Sequence, residues 1–159
     1  MENGLKSFAT EEAKFAAFSR ISFDSVCVGM KFSNTQNWLR IPLKRDSLLD
    51  IFQDGNYIST SLGRSAWKGL IAQASLQPHC NREGFNVRNN GGKMLTRIGF
   101  IANQENECIS PDSFIGLGSI GTNLPCGAAL SAISCGNFAS CSPDNGDKSN
   151  AAFGYILVQ

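Results

Sequence analysis

Apolar and polar residues alternate along two stretches near the start of the chain. The first, ISFDSVCVGMKF from residue 21, places Val26, Val28 and Met30 on one side. The second, WLRIPL from residue 38, alternates in the same way, with one side formed by Trp38, Arg40 and Pro42 and the other by Leu39, Ile41 and Leu43. A period of two residues is that of a β-strand with one buried face, so we predict two strands joined by the NTQN turn. Pro42 has no N–H to donate, which predicts an edge strand or a strand end there.

Three segments carry the spacing of short helices: residues 11–20, 46–53 and 65–76. In the third, Trp67, Leu70 and Ile71 recur at i, i+3 and i+4, which is one face of a helix. We therefore predict that Trp67 lies in the core.

The second half of the chain reads mainly as β structure. GFNVR and TRIGFIA flank an Asn-Asn-Gly-Gly turn, and both residue types tolerate the positive φ of a hairpin turn. The segment IGLG predicts a closely packed strand. The final segment, NAAFGYILVQ, is nearly all apolar and predicts a strand in the centre of a sheet. Residues 119–147 are interpreted as one long Gly- and Cys-rich loop.

Together these patterns predict an α+β, β-rich fold with an antiparallel sheet core. Two or three short helices are expected in the first half, and a long disulfide-rich loop in the second half. Residues 1–20 are interpreted as an N-terminal leader or short helix. Residues 21–159 are interpreted as a single globular β-rich domain, because a chain of 159 residues has the usual size of one domain.

Charge and apolar content argue against two classes of protein: nucleic-acid-binding proteins and proteins that span a membrane. The formal net charge is +1 and the densest basic patch is Lys44-Arg45, so no basic face for nucleic acid is expected. No stretch approaches the ~20 apolar residues of a membrane span. The first 20 residues lack the uninterrupted apolar core of a signal peptide. A secreted protein of this sequence would need a leader that this chain lacks, or the chain would be a piece of a larger one.

The six cysteines indicate an oxidising compartment. An even number of cysteines without any CxxC pair favours disulfides over a zinc site, since the chain has one histidine. We expect up to three disulfides and an extracellular location, with six buried free thiols as the alternative. The pairing stays open among the candidates Cys27, Cys80, Cys108, Cys126, Cys135 and Cys141.

No catalytic constellation is visible in the sequence. Nucleophilic catalysis uses a serine or cysteine beside a base, and the only histidine, His79, stands next to a cysteine expected in a disulfide. There is no G-x-S-x-G elbow, and GLGSIGTN lacks the βαβ context of a dinucleotide site. We predict that the chain is not an enzyme and name no catalytic residue.

Two oxygen-rich stretches predict a cation site that suits calcium, because this ion accepts carboxylate, amide and carbonyl oxygens. The first is residues 103–107 and the second is residues 143–148. From the residues alone, the candidate ligands are Asn103, Glu105, Glu107, Asp144, Asn145 and Asp147. The alternative is that the second stretch is only an Asp-Asn-Gly turn, which needs no ion.

Candidate ligand-binding residues lie in the first half. Sugar recognition uses an aromatic platform with planar polar groups beside it, and Trp38 on an edge hairpin suits that role. Arg82 and Glu83 are predicted as a polar pair at the rim of a pocket. The alternative for that pair is a surface salt bridge worth under ~1 kcal/mol.

Several segments resemble an extracellular domain of corals and sea anemones, a group that includes coral skeletal organic matrix proteins. The segments are GRSAWKGLIAQASLQPHCNREGFNV at 63–87, RIGFIANQENECISPDSFIGLG at 97–118, CGNFAS at 135–140 and DNGDKSNAAFGYILVQ at 144–159. The resemblance covers roughly residues 21–159 and implies an extracellular setting.

The second half is also distantly similar to the C-terminal part of intelectins and other fibrinogen-related lectins. Asn103-Gln104-Glu105 precedes Cys108, a Gly-rich segment follows, and Cys135-Gly136-Asn137-Phe138 stands where those lectins have Cys-Gly-Asp-Phe. The similarity implies calcium-assisted sugar binding, and it adds Asp112 and Asn137 to the candidate calcium ligands.

We therefore expect a non-enzymatic extracellular module, lectin-like or adhesive, that recognises glycan or an extracellular matrix component. Calcium is expected to assist the binding, and a second copy of the chain is a further candidate partner, in a homo-oligomer. The alternative is a structural matrix protein that assembles with copies of itself. No nucleic-acid partner and no membrane span are expected.

Overall fold

The computed structural model of the chain describes residues 15–92, 94–121 and 133–159. These residues form two antiparallel sheets with few and short helices. The strands are β1 Phe23–Phe32, β2 Thr35–Arg45, β3 Ile58–Ser59, β4 His79–Arg88, β5 Met94–Asn103, β6 Ser113–Leu117, β7 Ile120–Gly121, β8 Cys135–Ala139, β9 Lys148–Ala151 and β10 Phe153–Val158. The helices are α1 Leu49–Phe52, α2 Arg64–Lys68 and a 3₁₀ helix at Ala16–Ser19.

The first sheet has three strands in the order β10-β1-β2. Val26, Val28 and Met30 of β1 are fully buried, so the alternation predicted for this strand is confirmed. Strand β2 lies at an edge, as Pro42 predicts. On the outward face, Gly29 of β1 is paired with Trp38 on one side and Tyr155 on the other.

The second sheet has the order β3-β4-β5-β6-β8-β9, and β7 pairs with β5. Both of its faces are covered, because the main core fills the space towards the first sheet and a second apolar cluster lies on the opposite face. The main core includes Val28, Trp67, Phe85 and Phe100, and Phe114 belongs to the second cluster. The prediction of a β-rich antiparallel fold with short helices is confirmed.

A row of glycines crosses the second sheet. Gly99 of β5, Gly116 of β6 and Gly136 of β8 are register partners. A Cβ added to Gly116 would lie 2.2 Å from Thr96 Oγ1, and one added to Gly99 would lie 2.4 Å from the Ile115 carbonyl oxygen. Neighbouring strands therefore leave no room for a side chain along this row.

Replacing Gly116 by alanine is expected to lower the free energy of unfolding by about 1–3 kcal/mol, because the added methyl group overpacks a rigid sheet. Gly69→Ala is the matched control, since Gly69 has a right-handed helical conformation and its nearest atom is 3.2 Å away. Denaturant unfolding of both variants measures the difference. Equal stability of G116A and G69A would contradict tight packing at the glycine row.

The predicted helix at 65–76 is wrong beyond residue 69. Helix α2 stops at Lys68. Isolated turns follow it, in which the N–H groups of Leu70 and Ile71 donate to the carbonyls three residues earlier. Gln73 then has a positive φ of 59°, which a right-handed helix cannot contain. Ser75 N–H donates to Asn137 Oδ1 at 2.8 Å, and Gln77 N–H donates to Ser113 Oγ at 2.9 Å. From Ser75 onwards, tertiary hydrogen bonds therefore take the place of helical ones. Trp67 itself is fully buried, as predicted.

The apolar C-terminal segment is not one central strand. It breaks at Ala152, whose N–H donates to the Cys135 carbonyl at 2.9 Å. The part before the break, β9, joins the second sheet, and the part after it, β10, forms an edge of the first. Likewise, residues 119–147 are not one loop, because β8 lies within them. The calls for residues 1–14 and 122–132 fall outside the described residues.

The cysteines are used less fully than predicted. Cys80 and Cys108 form a disulfide, and Cys141 is also disulfide-bonded. Cys126 lies outside the described residues. Cys27 and Cys135 are free, which corrects the prediction for these two. The reason is placement: Cys27 faces outward on β1, whereas Cys135 packs against the main core, where burial raises its pKa to about 12.

None of the helices formed by the described residues has the length and apolar content needed to cross a membrane.

Candidate functional site

Trp38 lies across the outward face of the first sheet. Its six-membered ring covers Gly29, because a Cβ on Gly29 would lie 2.6 Å from the ring. The absence of a side chain at Gly29 therefore lets the indole lie against the backbone instead of projecting into solvent. The side chain remains 46% exposed, so one surface of the residue is open to a ligand.

Two further rings extend this surface along β10. The centroids of Trp38 and Tyr155 are 5.7 Å apart, and those of Tyr155 and Phe153 are 5.0 Å apart. These spacings are those of favourable aromatic pairs, so the rings hold one another in place. We call Trp38, Tyr155 and Phe153 the aromatic face.

Polar side chains border the aromatic face on the same side of the sheet. Lys31 is the register partner of Gln36 on one side and of Phe153 on the other. Arg40 stands two residues from Trp38 on β2, and its Nε donates to Ser25 Oγ at 3.1 Å. No aspartate or glutamate occurs in residues 25–31, 36–42 or 153–157. The border of the aromatic face is therefore cationic.

Glu83, predicted with Arg82 as a rim pair, is a buried anchor instead. Its carboxylate accepts hydrogen bonds from Thr60 Oγ1 at 2.7 Å, Trp67 Nε1 at 2.8 Å, and the backbone N–H groups of Gly63 at 2.8 Å and Leu62 at 3.0 Å. Burial by itself raises the pKa of Glu83, but these hydrogen bonds to the charged form bring the pKa below its usual value. Glu83 thus holds the segment before α2 to β4.

Arg82 points away from Glu83. Its guanidinium lies 4.5 Å from the centre of the Tyr57 ring, and its NH1 donates to Asn90 Oδ1 at 3.3 Å. The two ion pairs found among the described residues both involve Asp144 rather than Glu83. The structure therefore does not bring Arg82 and Glu83 together as a polar rim.

In the second oxygen-rich stretch, residues 143–148, Asp144 and Asn145 already bind other groups of the protein. Asp144 accepts from Lys68 Nζ at 2.6 Å and Arg64 NH2 at 2.7 Å, and also from the Leu76 N–H at 3.0 Å. Burial raises the pKa of Asp144, but the two cations outweigh it and lower the pKa to about 2. Asn145 donates to the Gln73 carbonyl at 2.8 Å, and Asp147 is exposed.

In the first oxygen-rich stretch, residues 103–107, Asn103 and Glu107 make most of the hydrogen bonds that hold the loop. Asn103 Nδ2 donates to Glu107 Oε1 at 2.6 Å, and Ser110 Oγ donates to the same oxygen at 3.1 Å. The other oxygen of Glu107 accepts from the Ile109 N–H. Glu105 is exposed, and among the described residues its carboxylate accepts only from Gln104 Nε2, at 2.9 Å.

Asp112 is the exception in this loop. It is 1% exposed, yet neither carboxylate oxygen accepts a hydrogen bond from a described residue. The Gln104 N–H lies near it but donates to Asn103 Oδ1 at 2.9 Å. Burial, followed by the charges of Glu105 and Glu107, raises the pKa of Asp112 to about 6.

The stability of the protein is expected to record this titration. Because the pKa of Asp112 is higher in the folded chain than its ordinary value of 3.8, the ionised carboxylate destabilises the fold above about pH 6. The penalty, about 1–2 kcal/mol after allowance for screening, disappears as the pH falls from about 6 to 4. Asp112→Asn should remove this pH dependence, measured in EDTA by denaturant unfolding at pH 7, 6 and 5. Parallel profiles for both proteins would contradict the prediction.

The two oxygen-rich loops lie at the same end of the second sheet, because β5, β6, β8 and β9 alternate in direction. Ser140 N–H donates to the Asp112 carbonyl at 3.1 Å, which joins the ends of the loops. Asp144, however, is turned towards Arg64 and Lys68. Within the described ranges, no group of three or more His, Cys, Asp or Glu side chains is arranged to hold a metal.

Two features of the site escaped sequence reasoning. Tyr155 and Phe153 join Trp38 only through the pairing of β10 with β1, which no local pattern reports. Asn137, a calcium candidate by resemblance, is instead fully buried and bonded to the Ser75 backbone at 2.8 and 2.9 Å and to the Phe114 carbonyl at 2.8 Å. The i, i+2 spacing of Phe153 and Tyr155 is the one signal that pointed to a shared strand face.

No protein-family model, curated protein or solved structure matches the chain.

Proposed function

We propose that this chain is a non-enzymatic extracellular binding module that recognises glycans through the aromatic face. The observation that carries the proposal is the position of Trp38, half exposed and lying over Gly29 beside Tyr155. The C–H groups of a sugar ring form an apolar surface that packs on such a ring. Because the rings are already fixed by one another and by the backbone, little side-chain entropy is lost on binding.

The border of the aromatic face favours acidic glycans. Lys31 and Arg40 can pair with carboxylate or sulfate groups, and Gln36 can hydrogen-bond to hydroxyls. The Cys80–Cys108 disulfide is consistent with the oxidising environment in which such ligands occur. The resemblance to coral and sea-anemone extracellular proteins agrees with the same setting.

A glycan array that includes sulfated and uronic-acid-containing glycans tests the proposal. We expect binding that weakens as salt is raised, because exposed charges are screened. If wild type and Trp38→Ala bound the same glycans equally well, the aromatic face would not be the binding site. If no glycan bound to wild type, glycan recognition would be contradicted.

The structural matrix protein is the second candidate, and one observation favours it. Strand β10 is an edge strand, and Ile156 and Leu157 on it are exposed. Exposed apolar edge strands are prone to pair with copies of themselves. Light scattering against concentration distinguishes the candidates: growth with concentration that Leu157→Lys abolishes supports self-assembly, and a constant monomer mass rejects it.

A further inference from the structure

The backbone of Asp112 is fixed on both sides, while its carboxylate accepts no hydrogen bond from the described residues. Its N–H donates to the Ala102 carbonyl at 3.0 Å, and its carbonyl accepts from Ser140 N–H at 3.1 Å. The side chain therefore cannot leave the interior without breaking strand contacts. A buried carboxylate without a hydrogen bond is costly, and such groups in native proteins usually contact a bound water or ion.

The surroundings of Asp112 carry negative charge. Glu105 and Glu107 both act on it electrostatically. Of the positive groups on neighbouring segments, Arg64 and Lys68 are paired with Asp144, and Arg82 lies over the Tyr57 ring. Glu107 uses both carboxylate oxygens to hold its own loop. A cation near Asp112 would therefore offset two costs. One is the lost hydration of the Asp112 carboxylate, and the other is the repulsion among the carboxylates of Asp112, Glu105 and Glu107.

The loop around Asp112 is held in place independently of any ion. Cys108 is bonded to Cys80, and its carbonyl accepts from the Asn90 N–H at 3.1 Å. The neighbouring Ile109 carbonyl accepts from Asn89 Nδ2. These contacts tie the loop to the β4–β5 hairpin, so the position of Asp112 relative to residues 103–107 is set before a ligand arrives, as a tight site requires.

We propose that Asp112 is the inner ligand of a calcium site closed by residues 104–106. Asp112 supplies two uncommitted oxygens from the inside. Glu105 has one uncommitted oxygen at the surface, and Gln104 and Asn106 are exposed amides that can supply neutral oxygens. Calcium suits this set because it accepts six to eight oxygens, including amides and water, in irregular geometry. Magnesium requires near-ideal octahedral geometry, and zinc prefers nitrogen or sulfur.

The site belongs to one loop. Asp144, Asn145 and Asp147 are not part of it, because Asp144 is neutralised by its two cations and Asn145 is bonded to Gln73. The ion would act on the β5–β6 loop, and it is separate from the aromatic face.

Thermal unfolding of the whole chain at pH 7.5 tests the proposal, with calcium chloride added after treatment with EDTA. Wild type is expected to gain a few degrees in Tm at millimolar calcium, because a ligand of the folded state stabilises it. Magnesium at equal concentration should give a smaller rise. Asp112→Asn should show no calcium response, and in EDTA its Tm should equal or exceed that of wild type, which shows that it is folded.

Two further variants locate the site. Glu105→Gln, at an exposed position, should raise the calcium concentration needed for half of the Tm shift several-fold. Asp147→Asn removes the same charge from the other loop and should respond like wild type. The proposal is overturned if wild type does not respond to calcium, if Asp112→Asn responds as wild type does, or if Asp147→Asn abolishes the response.

Discussion

Glu83→Ala is expected to destabilise the protein more than any other single change considered, by about 3 kcal/mol or more. The substitution removes one carboxylate and leaves four donors without their acceptor. They are the Trp67 indole N–H, the Thr60 hydroxyl and the backbone N–H groups of Leu62 and Gly63. Trp67 is fully buried in the main core, so its indole N–H cannot replace the lost bond with a hydrogen bond to solvent. The loss should appear as a lower denaturant midpoint with an unchanged slope.

Matched variants separate the role of Glu83 from a general effect of removing acid. Glu83→Gln keeps one acceptor oxygen and should recover part of the stability. Asp147→Ala removes an exposed carboxylate and should change the free energy of unfolding by no more than about 0.5 kcal/mol. If Glu83→Ala were as stable as Asp147→Ala, Glu83 would not be the anchor that its hydrogen bonds indicate.

The second large effect is expected on binding. Trp38→Ala should weaken glycan binding by at least tenfold, because a central tryptophan at an interface commonly carries more than about 1.4 kcal/mol of the binding free energy. Trp38→Phe keeps a ring over Gly29 and should retain part of the affinity. Both variants should fold, since the side chain is half exposed and its strand is an edge.

The control for this effect is another exposed apolar residue away from the aromatic face. Ile109 is more exposed than Trp38 and lies in the β5–β6 loop. Ile109→Ala should bind glycans as wild type does. Isothermal titration with a glycan selected from the array measures all three variants, and an equal loss for Ile109→Ala and Trp38→Ala would argue against a localised site.

The parts of the fold that follow from local alternation were predictable. Strands β1 and β2 have a regular period of two, and the Asn-Asn-Gly-Gly turn identifies the hairpin of β4 and β5. The edge position of β2 follows from Pro42, because a residue without an N–H weakens pairing on that side. These features depend only on residues close together in the chain.

The predictions that were wrong concern segments whose structure depends on residues far away in the sequence. The end of the segment predicted as a helix at 65–76 is held by tertiary contacts instead. The N–H groups of Ser75 and Gln77 donate to side chains more than thirty residues away, those of Asn137 and Ser113. The apolar run at the C-terminus divides between two sheets, and composition cannot report which strands will be its neighbours. The prediction of up to three disulfides holds for Cys80, Cys108 and Cys141. It is wrong for Cys27 and Cys135, because a cysteine count does not show that these two occupy different sides of the sheets.

Of the three residues of the aromatic face, sequence reasoning named only Trp38. Trp38 was identified from an aromatic residue on an edge hairpin, whereas the rings beside it come from the other end of the chain. Glu83 and Asp112 are both acids in polar segments, and nothing local distinguishes them. Glu83 accepts hydrogen bonds from four donors, whereas Asp112 accepts none from the described residues. That difference separates a structural anchor from a candidate ligand of a cation.

The central claim, that ligand contacts the aromatic face, can be tested on the indole N–H signals of the two tryptophans in a ¹H–¹⁵N spectrum. Trp67 serves as an internal control because it is buried and bonded to Glu83. Titration with a glycan that binds on the array should shift the Trp38 signal in proportion to occupancy and leave the Trp67 signal in place. Saturation of the protein with the Trp38 signal unmoved would contradict the claim.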